Sequence, residues 1–195
     1  MNKIFFLVAV IFLSSLALSA QKLNVVVNYA GSEGTNNNNM INYQPEQLLG
    51  WEDFKGKPIE ASDAAALTNA GFGVKLSFRS IENTAKLLIA VNCSFSKRES
   101  WVKSGNKTAY ILNHEQKHFD LAFIHTLQFI KNLRNADFTT TNYAALIEKI
   151  YNHAAEELGT AQNQYDAETS HSRIPERQVE WDQKISRQLA LAVKE

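Results

Sequence analysis

From Thr108 to about Arg134 the chain contains neither glycine nor proline, and Leu112, Phe119, Phe123, Leu127 and Ile130 recur at helical spacing. A long helix is the reading, with Thr108 placed to cap its first turn. "DFTTTNY" (137–143) interrupts the pattern and offers Thr141 or Asn142 as the next cap. A second helix follows, with Tyr143, Ile147, Ile150, Ala154, Leu158 and Ala161 on one face. "YDAETSHSRIP" (165–175) reads as a polar break, and Pro175 opens a third amphipathic helix carrying Val179, Ile185, Leu189 and Val193.

Strand patterns precede these helices. "KLNVVVNY" (22–29) is β-branched, and "GFGVKLSFRS" (71–80) and "KLLIAVNCSFS" (86–96) flank an "IENT" segment short enough for a hairpin. "LLGWEDFKGKP" (48–58) reads as an ordered turn that buries its aromatics, whereas residues 31–47, opening on "GSEGTNNNN", read as a flexible polar loop. No internal repeat is visible. Strands first and helices afterwards predict an α+β fold: a small antiparallel sheet followed by three helices.

The first twenty residues stand apart. Lys3, the apolar run Ile4–Leu13 and the small-residue stretch "SSLALSA" have the layout of a secretory signal peptide cleaved near Ala20. The run falls short of the ~20 residues a membrane span needs, and no cysteine follows it for lipid attachment. Residues 21–195 then form a single domain, exported to the periplasm or the medium, large enough to bury a sizeable core. Lys+Arg and Asp+Glu balance at 20 each, which argues against a nucleic-acid binder. The one cysteine, Cys93, makes no internal disulfide and reads as a small core residue, so stability rests on packing or on a metal.

Within the first helix lies "LNHEQKHFD" (112–120). Positions four apart share a helix face, so His114 and His118 can both aim a ring nitrogen at one metal ~2 Å away. Glu115 beside them can reach a water whose pKa zinc lowers, and take its proton as it attacks a carbonyl. The competing reading is a histidine pair that is solvated or satisfied in the core. A catalytic zinc also needs a third protein ligand. His125 lies about 10 Å along the axis from His118 and is read as structural or surface. The metzincin continuation is absent, since Asp120 and Ile124 occupy its Gly and His positions. An antiparallel helix hairpin centred on 135–141 would bring residues near 157 level with His118, making Glu157 the donor that geometry favours. Asp166, Glu168 and His171 lie further along and would come in through a bend near Gly159. Asp120 faces away from the histidines and is structural. Tyr165 packs at a helix end or donates to an oxyanion. Trp51, Trp101 and Trp181 read as core or hinge anchors.

Taken in order, "LGWEDFKGKP", "SWVK", "NHEQKHFD" (113–120), "YDAETSH" and "QVEW" resemble a bacterial domain-of-unknown-function family described as predicted secreted Zn-dependent proteases. The resemblance spans about Leu48 to Trp181 and is sharpest at 113–120. It implies a zincin-like domain with the HExxH motif on the first long helix. It also implies a third ligand from the segment like "YDAETSH", which favours His171 over Asp166 and Glu157. Ser172 stands where that family usually has Gly after this histidine.

These readings lead to an expected zinc-dependent metallopeptidase: His114, His118 and His171 hold Zn2+, and Glu115 activates the water. Its substrate would be a peptide or protein, cell-wall peptide included. Strand 86–96 would be the sheet edge on which a substrate backbone pairs. The rival is a non-catalytic secreted binding or scaffold domain with a structural zinc or none. His153 and Glu157 could close such a shell.

Overall fold

The computed structural model describes residues 22–31 and 39–194. The fold is α+β. Strands β1 (Lys22–Tyr29), β2 (Met40–Asn42), β3 (Ala66–Leu67), β4 (Ala70–Ile81), β5 (Thr84–Ser96) and β6 (Trp101–Val102) precede helices α1 (Ala109–Arg134), α2 (Tyr143–Thr169) and α3 (Pro175–Ala192). Residues 1–20, read above as a signal peptide, lie outside the described residues. No helix among the described residues is long and apolar enough to cross a membrane.

The sheet is built around β5. β4 pairs with it antiparallel along its length, through the hairpin expected at "IENT", with Glu82 in the left-handed region at the turn. β1 and β2 share the opposite edge: β1 runs parallel against Thr84–Val91 and β2 antiparallel against Ser94–Ser96. Two expectations change here. The sheet is mixed rather than antiparallel, because β1 reaches β5 through a long connection that leaves its direction free. And β5 is the central strand, not an edge, with β4 paired along one side and β1 and β2 along the other. β2 also shortens the expected loop over 31–47: Met40–Asn42 pair with β5, and Tyr43 is buried directly after them.

Alternate residues of β5 (Ala85, Leu87, Ile89, Val91, Cys93 and Phe95) are buried against the helices. Burying a Leu, Ile or Phe side chain contributes about 1.5–3 kcal/mol, so this row anchors α1 to the sheet. Around Phe95 gather Tyr43, Phe119 and Phe123, with Tyr43 stacked on Phe123 at 4.1 Å. Around Leu87, Ile89 and Val91 gather Phe129, Ile130, Leu133 and Ile147. Helix α1 therefore packs on the sheet, on α2 and on α3 together. Trp101 and Trp181 are buried, and Trp51, in a 3-10 turn (Trp51–Asp53), leans on Phe54 with ring centroids 4.9 Å apart.

The helix boundaries follow local chemistry. Thr108 caps α1 by accepting a hydrogen bond from the Ile111 N–H at 3.1 Å. Before α2, Asn142 Oδ1 accepts from the Thr139 N–H while Thr139 Oγ1 accepts from the Asn142 N–H. Helix α2 runs unbroken through Gly159 to Thr169, so Tyr165, Asp166 and Glu168 are helical. The break is only 170–174. Ser170, His171 and Ser172 sit in the left-handed region, and Pro175 holds Ile174 extended before α3 starts.

Candidate metal centre

Helices α1 and α2 form an antiparallel hairpin whose contacts repeat turn by turn. Phe129 meets Tyr151, His118 meets Gln162, and His114 meets Asp166. The register differs by about a turn from the expected one, because the connecting residues 135–142 hold a turn of their own and α2 starts only at Tyr143. Glu157 therefore falls short of the histidines and pairs with His153 at 3.5 Å. Neither belongs to the donor cluster, so the shell they could have closed does not form. No bend at Gly159 is needed, since the straight helix delivers Asp166.

His114, His118 and Asp166 converge. His114 Nε2 and His118 Nε2 are 3.2 Å apart, and each lies 3.1 Å from Asp166 Oδ1. Donors ~2.0 Å from a tetrahedral zinc stand about 3.3 Å from one another, so the three atoms already have the spacing of one face of such a shell. These three residues form a group able to hold a metal ion.

The hydrogen bonds behind the histidines show why this cluster asks for a cation. Gln162 Nε2 donates to the His118 carbonyl at 3.0 Å, which turns its Oε1 toward His118 Nδ1. Gln178 Nε2 donates to the Tyr165 hydroxyl at 2.6 Å and to Asp182 Oδ1 at 2.7 Å, which turns its Oε1 toward His114 Nδ1 at 2.8 Å. An amide oxygen only accepts, so in the neutral rings Nδ1 carries the proton and Nε2 carries the lone pair. Two lone pairs and a carboxylate oxygen then face one another, and only a proton or a metal ion between them relieves the arrangement. The electrostatics agree. Burial pushes the His118 pKa down, but the Asp166 and Glu115 carboxylates outweigh it and the net shift is upward. For Asp166, burial works upward, yet a histidine that takes up a proton at Nε2 donates it to Oδ1, and this hydrogen bonding prevails and holds the carboxyl well below the usual carboxylate range.

Glu115 lies beside the cluster and lines the same cavity, about 450 Å³ in volume. It is buried, and its Oε2 has no hydrogen-bond partner among the described residues. Burial raises its pKa, only partly offset by His118 and His114. The opposite wall is the segment from Ala64 to Ala70. It contains β3, which pairs with β6, and ends at the first residue of β4, whereas no residue of β5 lines the cavity.

The remaining candidates have clear places. His171 is half exposed on the cavity rim, its Nδ1 3.3 Å from Asp166 Oδ1, next to the three-donor group but not within it. Glu168 accepts from the Trp181 indole N–H at 2.9 Å. His125 is half buried, its pKa lowered by that burial, and it takes no part in the cluster. Asp120 is structural, accepting from Tyr43, Gln116 and Lys117. Tyr165 is fully buried and its ring stacks on His114 at 4.5 Å. Its hydroxyl points to the His114 carbonyl at 3.4 Å rather than into the cavity, so the oxyanion role is withdrawn. Gln162 and Gln178 were not foreseen as histidine partners. Gln162 stands four residues before Asp166 on the same helix face, and Gln178 opens "QVEW".

No curated protein and no solved structure matches the chain. The match that is found bears out the domain-of-unknown-function part of the resemblance and carries no protease description. A domain of the family described as "Bacterial protein of unknown function (DUF922)" is found at residues 88–172, the stretch that contains His114, Glu115, His118, Asp166 and His171.

Proposed function

We propose that the chain is an exported zinc-dependent hydrolase, a metallopeptidase of zincin-like design that cleaves peptide or protein substrates. The observation that carries this reading is the convergence of three acceptors, two Nε2 lone pairs and one carboxylate oxygen, beside a buried carboxylate with an unpartnered oxygen. His114, His118 and Asp166 would hold the metal. A bound zinc would supply Lewis acidity, lowering the pKa of a water and polarising the substrate carbonyl. Glu115 takes the proton of the attacking water: its raised pKa brings it closer to neutrality, where a base both accepts and returns a proton efficiently. Gln162 and Gln178 keep the histidines in the ligating tautomer. Export rests on the signal-peptide pattern of residues 1–20.

A second reading, a structural zinc in a non-catalytic domain, draws on His171, whose Nδ1 lies 3.3 Å from Asp166 Oδ1 and would have to turn toward the histidines to close the shell as a further ligand. One experiment separates them. The chain beginning at Gln21 is purified without a tag, and its metal content is measured by mass spectrometry beside His118→Ala, Asp166→Ala and His171→Ala. About one zinc per chain, lost in the first two variants and kept in the third, is the expected result. Loss in His171→Ala but not in Asp166→Ala makes His171 the third ligand, and loss in all three supports the closed site. No zinc after loading removes the metal reading altogether. Glu115→Gln should retain zinc and abolish cleavage of a peptide library, and surviving cleavage would remove Glu115 from the mechanism.

A further inference from the structure

A second cavity, about 560 Å³, opens beside the metal cavity. The two share a wall, since Ala64, Ala65, His171 and Ser172 line both. A chain lying across the metal cluster can therefore extend past His171 into the second space.

The second cavity is lined by two cations. Lys103 Nζ donates to the Ser62 carbonyl, and Arg173 donates through Nη2 to the Asp63 carbonyl. Backbone carbonyls hold the two side chains in position without neutralising them. Neither forms an ion pair among the described residues, unlike Lys97, Lys117 and Arg177, which all do. An ammonium has three donors and a guanidinium five, so each keeps N–H groups to offer after its carbonyl contact. Asp63 is the one acidic residue of the lining. Two cations and one acid leave a single net positive charge, which suits a monoanion. Helix α1 begins at the same cavity, with Thr108, Tyr110 and Ile111 in its wall, and its positive end adds to the potential.

We propose that this second cavity binds a carboxylate of the substrate through Lys103 and Arg173, and so sets which bond lies at the metal centre. The inference rests on the hydrolase reading for its meaning, though the binding step can be tested alone. The carboxylate has two sources, the C-terminal carboxylate of a peptide or an Asp/Glu side chain.

The test uses the untagged chain from Gln21, with and without zinc, titrated by amide NMR with three probes: acetyl-trialanine as the free acid, the same peptide as its C-terminal amide, and acetyl-Ala-Glu-Ala amide. The free acid should bind about tenfold tighter or more than the plain amide, the scale of a charge-assisted hydrogen bond, with shifts at Ala64, Ala65 and Ser172. Arg173→Gln, at an exposed position, and Lys103→Gln should each reduce that preference, and together erase it. Thermal melts of the variants check that they are folded. If the Glu-containing amide binds as tightly as the acid, the pocket accepts a side-chain carboxylate. Equal binding of acid and plain amide, or no binding by any probe with or without zinc, overturns the proposal. A chain that takes up no zinc yet still prefers the acid keeps this subsite and loses the hydrolase reading, so the two failures are distinguishable.

Discussion

The two ends of the α1–α2 hairpin follow one register and do opposite things. Toward the connection, Phe129, Ile130 and Leu133 pack against Ile147 and Ala154 with Leu87, Ile89 and Val91 beneath. Every group there is apolar and every contact is repaid by burial. Toward the far end, the same spacing brings His114 and His118 against Gln162 and Asp166, and three acceptors face one another. The apolar half fixes the distance between the helices at which these groups meet. Stability and chemistry are thus divided along one pair of helices.

Breaking the apolar half gives the largest expected effect. Phe129 is fully buried, touching Phe72 and Tyr151. Phe129→Ala should cost about 3–5 kcal/mol of folding stability, read by chemical denaturation of the metal-free chain. Zinc bound per folded chain should be unchanged, since the cluster lies several turns away. Loss of zinc from the folded fraction would show that the two halves are not separable.

A smaller change falls on the polar half. Gln162→Leu removes the acceptor behind His118 Nδ1 and frees that ring to turn. Zinc affinity should fall about 10–100-fold, measured by competition with a chelator, with little change in melting temperature. Gln162→Glu keeps an acceptor for the same N–H and should not weaken binding. Equal loss in both would mean that Gln162 acts through its donation to the His118 carbonyl instead.

The division also explains what could be read from the amino-acid order. Local signals were legible: the Thr108 cap, the hairpin at "IENT", the apolar stripes of α1 and α2, and two histidines one turn apart. Long-range pairing was not. Nothing within "KLLIAVNCSFS" says that β1 would lie parallel to it and make it central. Helix register depends on how many residues a connection absorbs, so a small error about 135–142 moved the expected partner from Gln162 and Asp166 to Glu157. The polar break assumed at 165 is the most instructive case. Tyr165, Asp166 and Thr169 look like loop residues because they are polar, yet two are buried and the third serves the cluster. Functional side chains on a helix imitate a helix end.

On folding stability an effect smaller than that of Phe129 is expected at Glu115, and its sign sharpens the comparison most. In the unfolded chain Glu115 ionises in the usual range. In the fold its pKa is raised, because burial disfavours the charge more than the histidines favour it. Ionising it in the native state therefore costs stability. That cost is absent below the unfolded pKa and grows as the pH rises through the folded one. Glu115→Gln removes the charge. In the metal-free chain it should raise stability at neutral pH by about 1–3 kcal/mol, the usual cost of an unsatisfied buried group, and the gain should shrink toward nothing at acid pH. Denaturation at the two pH values checks it. A variant less stable at neutral pH would mean that the carboxylate is held by its surroundings as firmly as Asp120 is. A more stable, inactive variant would mark Glu115 as a residue kept against the interest of the fold, as its neighbours along the apolar half never are.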